Sequence, residues 1–384
     1  MYMSNYHKNM VFTAACIGMC FFGVSMITLG SVLPSLTLKL GLNGLQTISL
    51  VTFLPLGMLI GSLIFGPIVD RFGHTALLVP SCILVLLGME GLAFLESIPL
   101  LQASIVGIGL GGGILNGETN ALVADISGKA EKGSRLSFLG MFYGLGALGI
   151  PMLLGALSKH FAYETILQGI GVIMLVGILF CIPVRFPAPK QAQGFPIKKG
   201  LGLLKESSLL LLSLVLFFQS GIEGVCNNWS TSYFGQVTAI PADRALLALT
   251  CMVIGLTIAR ILQVIIFKKI KPEKVLPYSL ILTAIGFGLL TFSPDFIRAA
   301  AGMTIVGAGL SATYPVILSV IGNRYPSLSG TAFSIALAIA LVGQTTMNGL
   351  MGMISLEVDG ILLYPYLMIA SLGIMLILFK CSPK

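Results

Sequence analysis

Charged side chains are scarce in this sequence: Asp, Glu, Lys and Arg make up 9% of 384 residues, whereas hydrophobic residues make up 56%. A soluble domain typically carries roughly 25% charged residues, so the composition excludes an ordinary soluble protein and predicts one that crosses a membrane several times. The chain is also too apolar for a nucleic-acid-binding protein. Its net charge of +8 indicates instead that Lys and Arg are held on the cytoplasmic side of a membrane.

Histidine is scarcer still, with only His7, His74 and His160, and none of the three falls deep in an apolar run. No catalytic constellation is visible, and we expect neither an enzyme nor a bound cofactor. The seven cysteines are scattered and lack the spacing of a metal site, so we interpret them as small packing residues and expect no metal.

Apolar runs of about 20 residues, the length that spans a bilayer, occur twelve times. Short polar segments such as "DRFGHT" and "KKIKPEK" separate them. The predicted fold class is therefore an all-α integral membrane protein. The spans lie near 11–36, 46–69, 76–95, 98–124, 136–158, 163–183, 207–234, 245–267, 275–293, 298–321, 331–355 and 361–379.

One connection is longer than the others. Residues 184–206 are rich in Pro and Lys and have six spans on each side. This layout predicts an N-terminal six-helix bundle over 1–183, a cytoplasmic linker over 184–206 and a C-terminal six-helix bundle over 207–384.

The distribution of basic residues supports this count. With the N-terminus inside, most of the 22 Lys and Arg residues fall in the inner segments, and only Lys39, Lys159, Arg244 and Arg298 fall in outer loops. A missed span would destroy this asymmetry. We therefore expect a multi-pass protein of the plasma (inner) membrane with both termini cytoplasmic.

The second span ends in "GPIVDRFGHT", residues 66–75. This stretch resembles the signature between spans two and three of the major facilitator superfamily, and it predicts an inner gate formed by Asp70 and Arg71. Gly66 allows a neighbouring helix to approach closely. His74 stands where the signature has a basic residue, which weakens the expected latch. The alternative interpretation is a charged turn that only ends a span.

Polar residues within the spans point to a site, because an ionised side chain at the centre of a bilayer costs at least about 2.5–3.5 kcal/mol. Glu90 is omitted, since it lies near the end of span three. The candidates are Asn116, Glu118 and Asn120 in span four, Gln219, Glu223, Asn227, Asn228 and Trp229 in span seven, Arg260 in span eight, Tyr314 in span ten, and Gln344 and Asn348 in span eleven.

The spacing of these candidates along each predicted helix determines which of them share a helix face. Residues four apart share a face, so Asn116 pairs with Asn120 while Glu118 lies roughly opposite, and Gln219 and Glu223 form a stripe that Asn227 continues. Amides and carboxylates bridge neighbouring hydroxyl groups, and an aromatic ring covers the C–H face of a sugar. Each residue also has a structural interpretation: amides join helices, Arg260 could pair with a glutamate, and Trp229 could lie in an interfacial belt.

Three stretches together resemble the fucose permease-like branch of the major facilitator superfamily, which includes fucose, glucose and galactose symporters. They are "GGGILNGETNALVADISG" in span four, "SGIEGVCNNWSTSYF" in span seven, and "GLSATYPVILSVIGNRYPSLSGTAFSIALAIALVGQ" across spans ten and eleven. The resemblance implies a major facilitator fold of two six-helix bundles and sugar transport by alternating access.

The match to this branch is uneven. Asn120 coincides with the branch's asparagine, but its acidic position falls on Asn116, and an acidic position in span one falls on Gly30. Glu223 is therefore the first choice for coupling to H⁺ or Na⁺. Glu118 and Arg260 are also expected to take part.

We expect a secondary active transporter of a small polar solute, foremost a sugar, that is embedded in lipid, coupled to H⁺ or Na⁺, and monomeric. A proton-driven exporter of amphiphilic or drug-like compounds is the alternative, although "GIPMLLG" in span five departs from the Gly-Pro pattern of such antiporters. A membrane sensor that retains the fold without transporting is a third hypothesis.

Overall fold

The computed structural model describes residues 6–158, 160–191, 197–238, 240–291, 295–355, 357 and 360–382. Over these residues the chain is helical, with no strand. Within the described residues, twelve helical segments are long and apolar enough to cross a membrane, which confirms the predicted fold class. The helices are α1 (Lys8–Leu40), α2 (Gly44–Phe72), α3 (Thr75–Phe94), α4 (Ile98–Ile126), α5 (Lys132–Leu157), α6 (Tyr163–Cys181), α7 (Ile197–Gly202), α8 (Ser207–Val237), α9 (Ala242–Lys269), α10 (Pro272–Thr291), α11 (Phe296–Leu310), α12 (Thr313–Arg324), α13 (Ser329–Ile354) and α14 (Tyr364–Cys381).

The tenth span is divided into two helices. α11 ends at Leu310 and α12 begins at Thr313, with Ser311 and Ala312 between them. The division has a local cause. Pro315 has no N–H to donate to the carbonyl of Ser311, so the helix lacks one backbone hydrogen bond there. The linker also contains structure that the sequence did not predict, namely the six-residue α7 and a 3₁₀ turn over Leu203–Lys205.

By contacts, the chain groups into two compact units. Unit 1 comprises residues 1–127, 141–200 and 325–334, and unit 2 comprises 128–140, 201–324 and 335–384. The first residues of α5 thus group with unit 2, and the first residues of α13 group with unit 1. The division into bundles at the linker stays a prediction.

Glycines allow α4 to pack closely against α2 within unit 1. A Cβ atom on Gly109 would overlap the backbone of Leu54, and one on Gly113 would overlap the backbone of Met58. Close approach of two helix backbones is the usual role of small residues in membrane helices. The glycine run in α4 is therefore a packing surface, and it fixes the position of the polar residues that follow it.

α2 has well-defined ends that position the motif at its C-terminus. It begins with a capping box in which Asn43 and Gln46 satisfy each other's backbone N–H groups at 2.9 Å. It ends at Phe72 and is followed by the C-cap residue Gly73, whose φ of +82° is a conformation that favours glycine. The sharp turn there places Asp70 at the end of α2 and His74 at the start of α3.

Candidate functional site

In unit 2, Gln219 and Glu223 lie on one face of α8, four residues apart. Gln219 is 1% exposed and donates to the carbonyl of Leu310 at 3.2 Å, at the end of α11. It also hydrogen-bonds Glu223, which lies within electrostatic range of Arg260. The structure thus brings together three of the predicted residues around one carboxylate.

Arg260 is buried, with 7% of its surface exposed. Its guanidinium donates to the carbonyl of Gly140 at 2.7 Å, in the part of α5 that groups with unit 2. A buried guanidinium retains its charge and is stabilised by hydrogen bonds and nearby anions. Arg260 therefore supplies the positive charge that compensates Glu223.

Two further hydrogen-bonded pairs join α8 to α12 and α13. The hydroxyls of Ser220 and Tyr314 lie 2.6 Å apart, and Asn228 donates to the side chain of Asn348 at 2.8 Å. Asn348 also donates to the carbonyl of Gln344 at 2.7 Å. The candidates on α12 and α13 therefore contact α8 directly.

The C-terminal part of the predicted stripe is more open. Asn227 is exposed and Trp229 is half-buried. Trp229 lies beside Gly352 of α13, where a Cβ atom would be 3.4 Å from the indole ring. Asn227, four residues after Glu223, continues the stripe towards the C-terminus of α8, and Trp229 lies on another side of the helix.

In unit 1, Asn120 is turned back onto its own helix. Its amide donates to the backbone carbonyl of Asn116 at 2.7 Å, and the side-chain oxygen of Asn116 lies 3.4 Å from the same nitrogen. Asn120 is 8% exposed, and Asn116 is half-buried. The pair thus shares a face of α4, and Asn116 is its more accessible member.

Glu118 does not join this pair. It is completely buried, and its Oε1 lies 2.8 Å from Nδ1 of His74. The other ring nitrogen of His74 lies 3.2 Å from Asp125, which also accepts from Lys190 at 2.7 Å. The sequence pattern did not predict this cluster, although Glu118 and Asp125 are seven residues apart and share a face of α4.

The two residues of the predicted gate have different surroundings. Asp70 is 1% exposed and accepts hydrogen bonds from Gly330 and Thr331 in the first turn of α13. Arg71 is exposed, and its guanidinium carbon lies 5.0 Å from the centre of the Phe72 ring. The close approach of Gly66 to the backbone of Gly330 allows the contact between α2 and α13.

A cavity of about 670 Å³ opens among α1, α5 and α6 in unit 1. Lys39 at its edge forms an ion pair with Glu164 at 2.9 Å. The hydrogen bond to Glu164 raises the pKa of Lys39. The cavity is not evident from the sequence, because its polar lining comes from separate helix ends. The polar side chains that line it are Ser31, Ser35, Lys39, Ser158, Tyr163 and Glu164.

Residues 15–272 match the family profile described as the Major Facilitator Superfamily. The chain belongs to this superfamily. It is therefore a multi-pass inner-membrane transporter that works by alternating access and is not an enzyme, as the sequence predicted.

Curated relatives are distant and differ in what they are named for. The chain is 28% identical over 152 residues to a putative metabolite transport protein of Haemophilus influenzae, covering 39% of this chain and 37% of that protein. It is 31% identical over 154 residues to the multidrug resistance protein MdtH of Aeromonas hydrophila, covering 39% and 38%. It is 24% identical over 365 residues to the glucose/mannose transporter GlcP of Bacillus subtilis, covering 90% and 88%. The chain thus spans under half of the first two relatives.

Among solved structures, the superfamily transporter FucP in the outward conformation superimposes with a TM-score of 0.83 at 17% identity, covering 97% of this chain and 98% of FucP. FucP is the fucose:proton symporter of E. coli. The proton:xylose symporter XylE gives a TM-score of 0.79 at 16% identity, covering 100% and 97%. At these identities the likeness shows the fold alone. With the family match, it confirms the predicted resemblance to the fucose permease branch.

Proposed function

We propose that this chain is a sugar symporter: it moves a sugar across the inner membrane by alternating access, coupled to H⁺ or Na⁺. The observation that carries the proposal is the polar face of α8, where Gln219, Glu223 and the Ser220–Tyr314 pair lie together in a chain that is otherwise strongly apolar.

The chemistry of this face suits a polyhydroxylated solute. Gln219 and Glu223 offer an amide and a carboxylate, and Tyr314 offers a hydroxyl. The side chains of Gln344 and Asn348 on α13 add two further amides. Each of these groups can exchange hydrogen bonds with sugar hydroxyls. An aromatic ring such as that of the nearby tryptophan on α8 can cover the C–H face of a pyranose.

The comparisons support a sugar over other small polar solutes. GlcP is named a glucose/mannose transporter and aligns with 90% of this chain. FucP and XylE, named symporters of fucose and xylose, share the fold across nearly the whole chain. The match to MdtH supports the alternative, a proton-driven exporter of drug-like compounds, but it covers only 39% of the chain.

The coupling step is assigned to Glu223. Because it is the carboxylate beside Arg260, binding of a cation or proton there changes the charge of the site from balanced to positive. In the same scheme Asp70 and Arg71 form the inner gate, both termini are cytoplasmic, and the transporter works as a monomer of two six-helix bundles.

The test is uptake by the full chain in proteoliposomes. A panel of radiolabelled sugars is offered under an imposed pH or Na⁺ gradient to the wild type, Glu223→Gln and Glu90→Gln. We expect Glu223→Gln to lose gradient-driven accumulation while retaining sugar exchange. Glu90→Gln, a matched change of a half-buried glutamate in α3 outside the proposed site, should accumulate sugar like the wild type.

Three other outcomes of the uptake experiment would change the proposed function or the coupling residue. Accumulation that survives Glu223→Gln would move coupling to Glu118. Expulsion of a lipophilic cation by the wild type, without sugar accumulation under either gradient, would refute the sugar symporter and support the exporter. Sugar binding without counterflow would indicate a sensor.

A further inference from the structure

The imidazole of His74 lies between two carboxylates. Nδ1 is 2.8 Å from Glu118, and Nε2 is 3.2 Å from Asp125. His74 is 4% exposed and Glu118 is completely buried, and the second oxygen of Glu118 has no hydrogen-bond partner among the described residues. Water is therefore excluded from the contact between His74 and Glu118.

These two contacts fix the number of protons in the cluster. An ionised carboxylate only accepts hydrogen bonds, and a neutral imidazole has a single N–H. Two hydrogen bonds between one ring and two carboxylates therefore require two protons. Either His74 is an imidazolium, or one carboxyl is protonated, and in both cases the cluster holds one proton more than neutral histidine with two carboxylates.

The charged and titratable groups around the cluster do not supply Glu118 with the positive charge that this proton brings. Lys190, from the segment after α6, is a second cation at the cluster, but its Nζ lies 2.7 Å from Oδ1 and 2.6 Å from Oδ2 of Asp125 and donates to that residue and not to Glu118. The thiol of Cys82 on α3 faces Glu118, and Cys181 on α6 lies near Cys82. On α2, Asp70 adds a further negative charge whose hydrogen bonds go to the start of α13. Glu118 thus has His74 as its cationic partner among these groups.

Asp125 connects the cluster to two other segments. Besides His74 and Lys190, it accepts from the hydroxyl of Ser329 at 2.9 Å, and Lys190 also donates to Ser329. Ser329 is the first residue of α13, and Gln191, next to Lys190, donates its backbone N–H to the carbonyl of Asp70 at 2.9 Å. The carboxylate of Asp125, on α4, therefore connects the protonation of His74 to the linker and to the start of α13.

We propose that His74, Glu118 and Asp125 form a buried proton-binding site, and that the bound proton fastens the first turn of α13 to α4. The ligand is a proton and not a metal ion, because the two carboxylates lie at opposite nitrogens of the ring and share no common point for coordination. The site is separate from Glu223, and its occupancy can be titrated by pH in the absence of a transported solute.

The electrostatics agree with this geometry. Burial lowers the pKa of His74, but the charges of Glu118 and Asp125 and their hydrogen bonds outweigh burial and raise it from 6.5 to about 9. Since the pKa is raised in the folded state, the stabilisation is fully present below pH 6.5 and is lost as the pH rises through about 9.

The first experiment measures thermal unfolding of the full chain in lipid nanodiscs between pH 6 and 10. We expect the Tm of the wild type to fall through this range. His74→Arg, which carries a permanent charge, should lose that pH dependence. His74→Gln should show the lower Tm already at pH 6.5, and Glu118→Gln should shift the transition to lower pH. His160→Gln, at an exposed histidine, is the matched control and should behave like the wild type.

The second experiment tests the link to α13 by amide hydrogen exchange of the peptide 325–334, comparing variants at the same pH. At pH 9.5 this peptide should exchange faster in the wild type than in His74→Arg, and at pH 6.5 the two should match. An unchanged pH dependence of Tm in His74→Arg, or equal exchange at both pH values, would overturn the proposal. Neither measurement needs a transported solute, so failure here is distinct from failure of the sugar symporter.

Discussion

The carboxylate of Asp70 accepts two hydrogen bonds from Thr331, from its backbone N–H at 2.8 Å and from its hydroxyl at 2.6 Å. The backbone N–H of Gly330 contributes a third bond at 3.2 Å. These groups belong to the first turn of α13, where N–H groups have no partner within the helix and the helix dipole favours an anion. Asp70 thus caps α13 from a different helix.

Asp70→Asn should weaken this cap. The change removes the charge and turns an N–H donor towards the donors of Gly330 and Thr331, so the variant should lose about 1.5–3 kcal/mol of unfolding free energy, the range for hydrogen bonds to charged groups. The measurement is denaturant or thermal unfolding in nanodiscs. Glu96→Gln, at a side chain that is 72% exposed, should unfold like the wild type. Equal stability of Asp70→Asn and wild type would show that the cap contributes nothing.

Gly113→Ala should disrupt the packing of α4 on α2. The added methyl group would overlap the backbone of Met58, which cannot rotate away, so we expect a loss of about 1–3 kcal/mol, typical of overpacking. Gly149→Ala in α5 is the control, because nothing lies within 4 Å of its added Cβ atom. There alanine should be neutral or slightly stabilising, since it is the better helix former. Similar Tm values for the two variants would contradict the close approach of α2 and α4.

Arg260→Gln should be costly because it removes the positive charge that compensates Glu223, whose side chain is half-buried. The loss of unfolding free energy should stay below the about 3–5 kcal/mol that breaking a fully buried ion pair typically costs. In a Glu223→Gln background the same change should cost less, by about 1–3 kcal/mol, which a double-mutant cycle of unfolding free energies measures. Strict additivity would mean that Arg260 serves the carbonyl of Gly140 and not Glu223.

Tyr314→Phe should affect solute binding more than stability. It removes the hydroxyl that lies 2.6 Å from Ser220 and leaves the ring in place. Loss of one hydrogen bond worth about 1 kcal/mol corresponds to roughly five-fold weaker apparent affinity in the uptake assay. Tyr278→Phe, at a tyrosine that is 75% exposed, should leave the affinity unchanged. An unaltered affinity in Tyr314→Phe would place Tyr314 outside the site.

The fold was predictable from the sequence because membrane-spanning segments must be long, apolar and helical. The short α7 and the division between α11 and α12 were not predicted. Span ten has no charged residue between Arg298 and Arg324, so the scarcity of charge gives no sign of the break, and Pro315 is the sequence feature that marks it.

The faces of helices were predictable, but the contacts between helices were not. The spacing of Gln219 and Glu223 defines one stripe on α8, and the structure places them side by side. The partner of Glu118 could not be found in this way. His74 is 44 residues away along the chain, beside a turn, and only the packing of α4 against α2 and α3 brings the two residues together.

Trp229 is the single tryptophan of the chain, and its indole lies against Gly352 where α8 and α13 meet. The tryptophan fluorescence of the protein therefore originates from one position, between two helices that carry candidate ligand-binding residues, and excitation at a wavelength that tyrosine does not absorb isolates it. A change in the separation of α8 and α13, or a solute placed beside the ring, would alter that emission. The protein thus contains its own optical probe, and binding can be followed on the unmodified chain without a label.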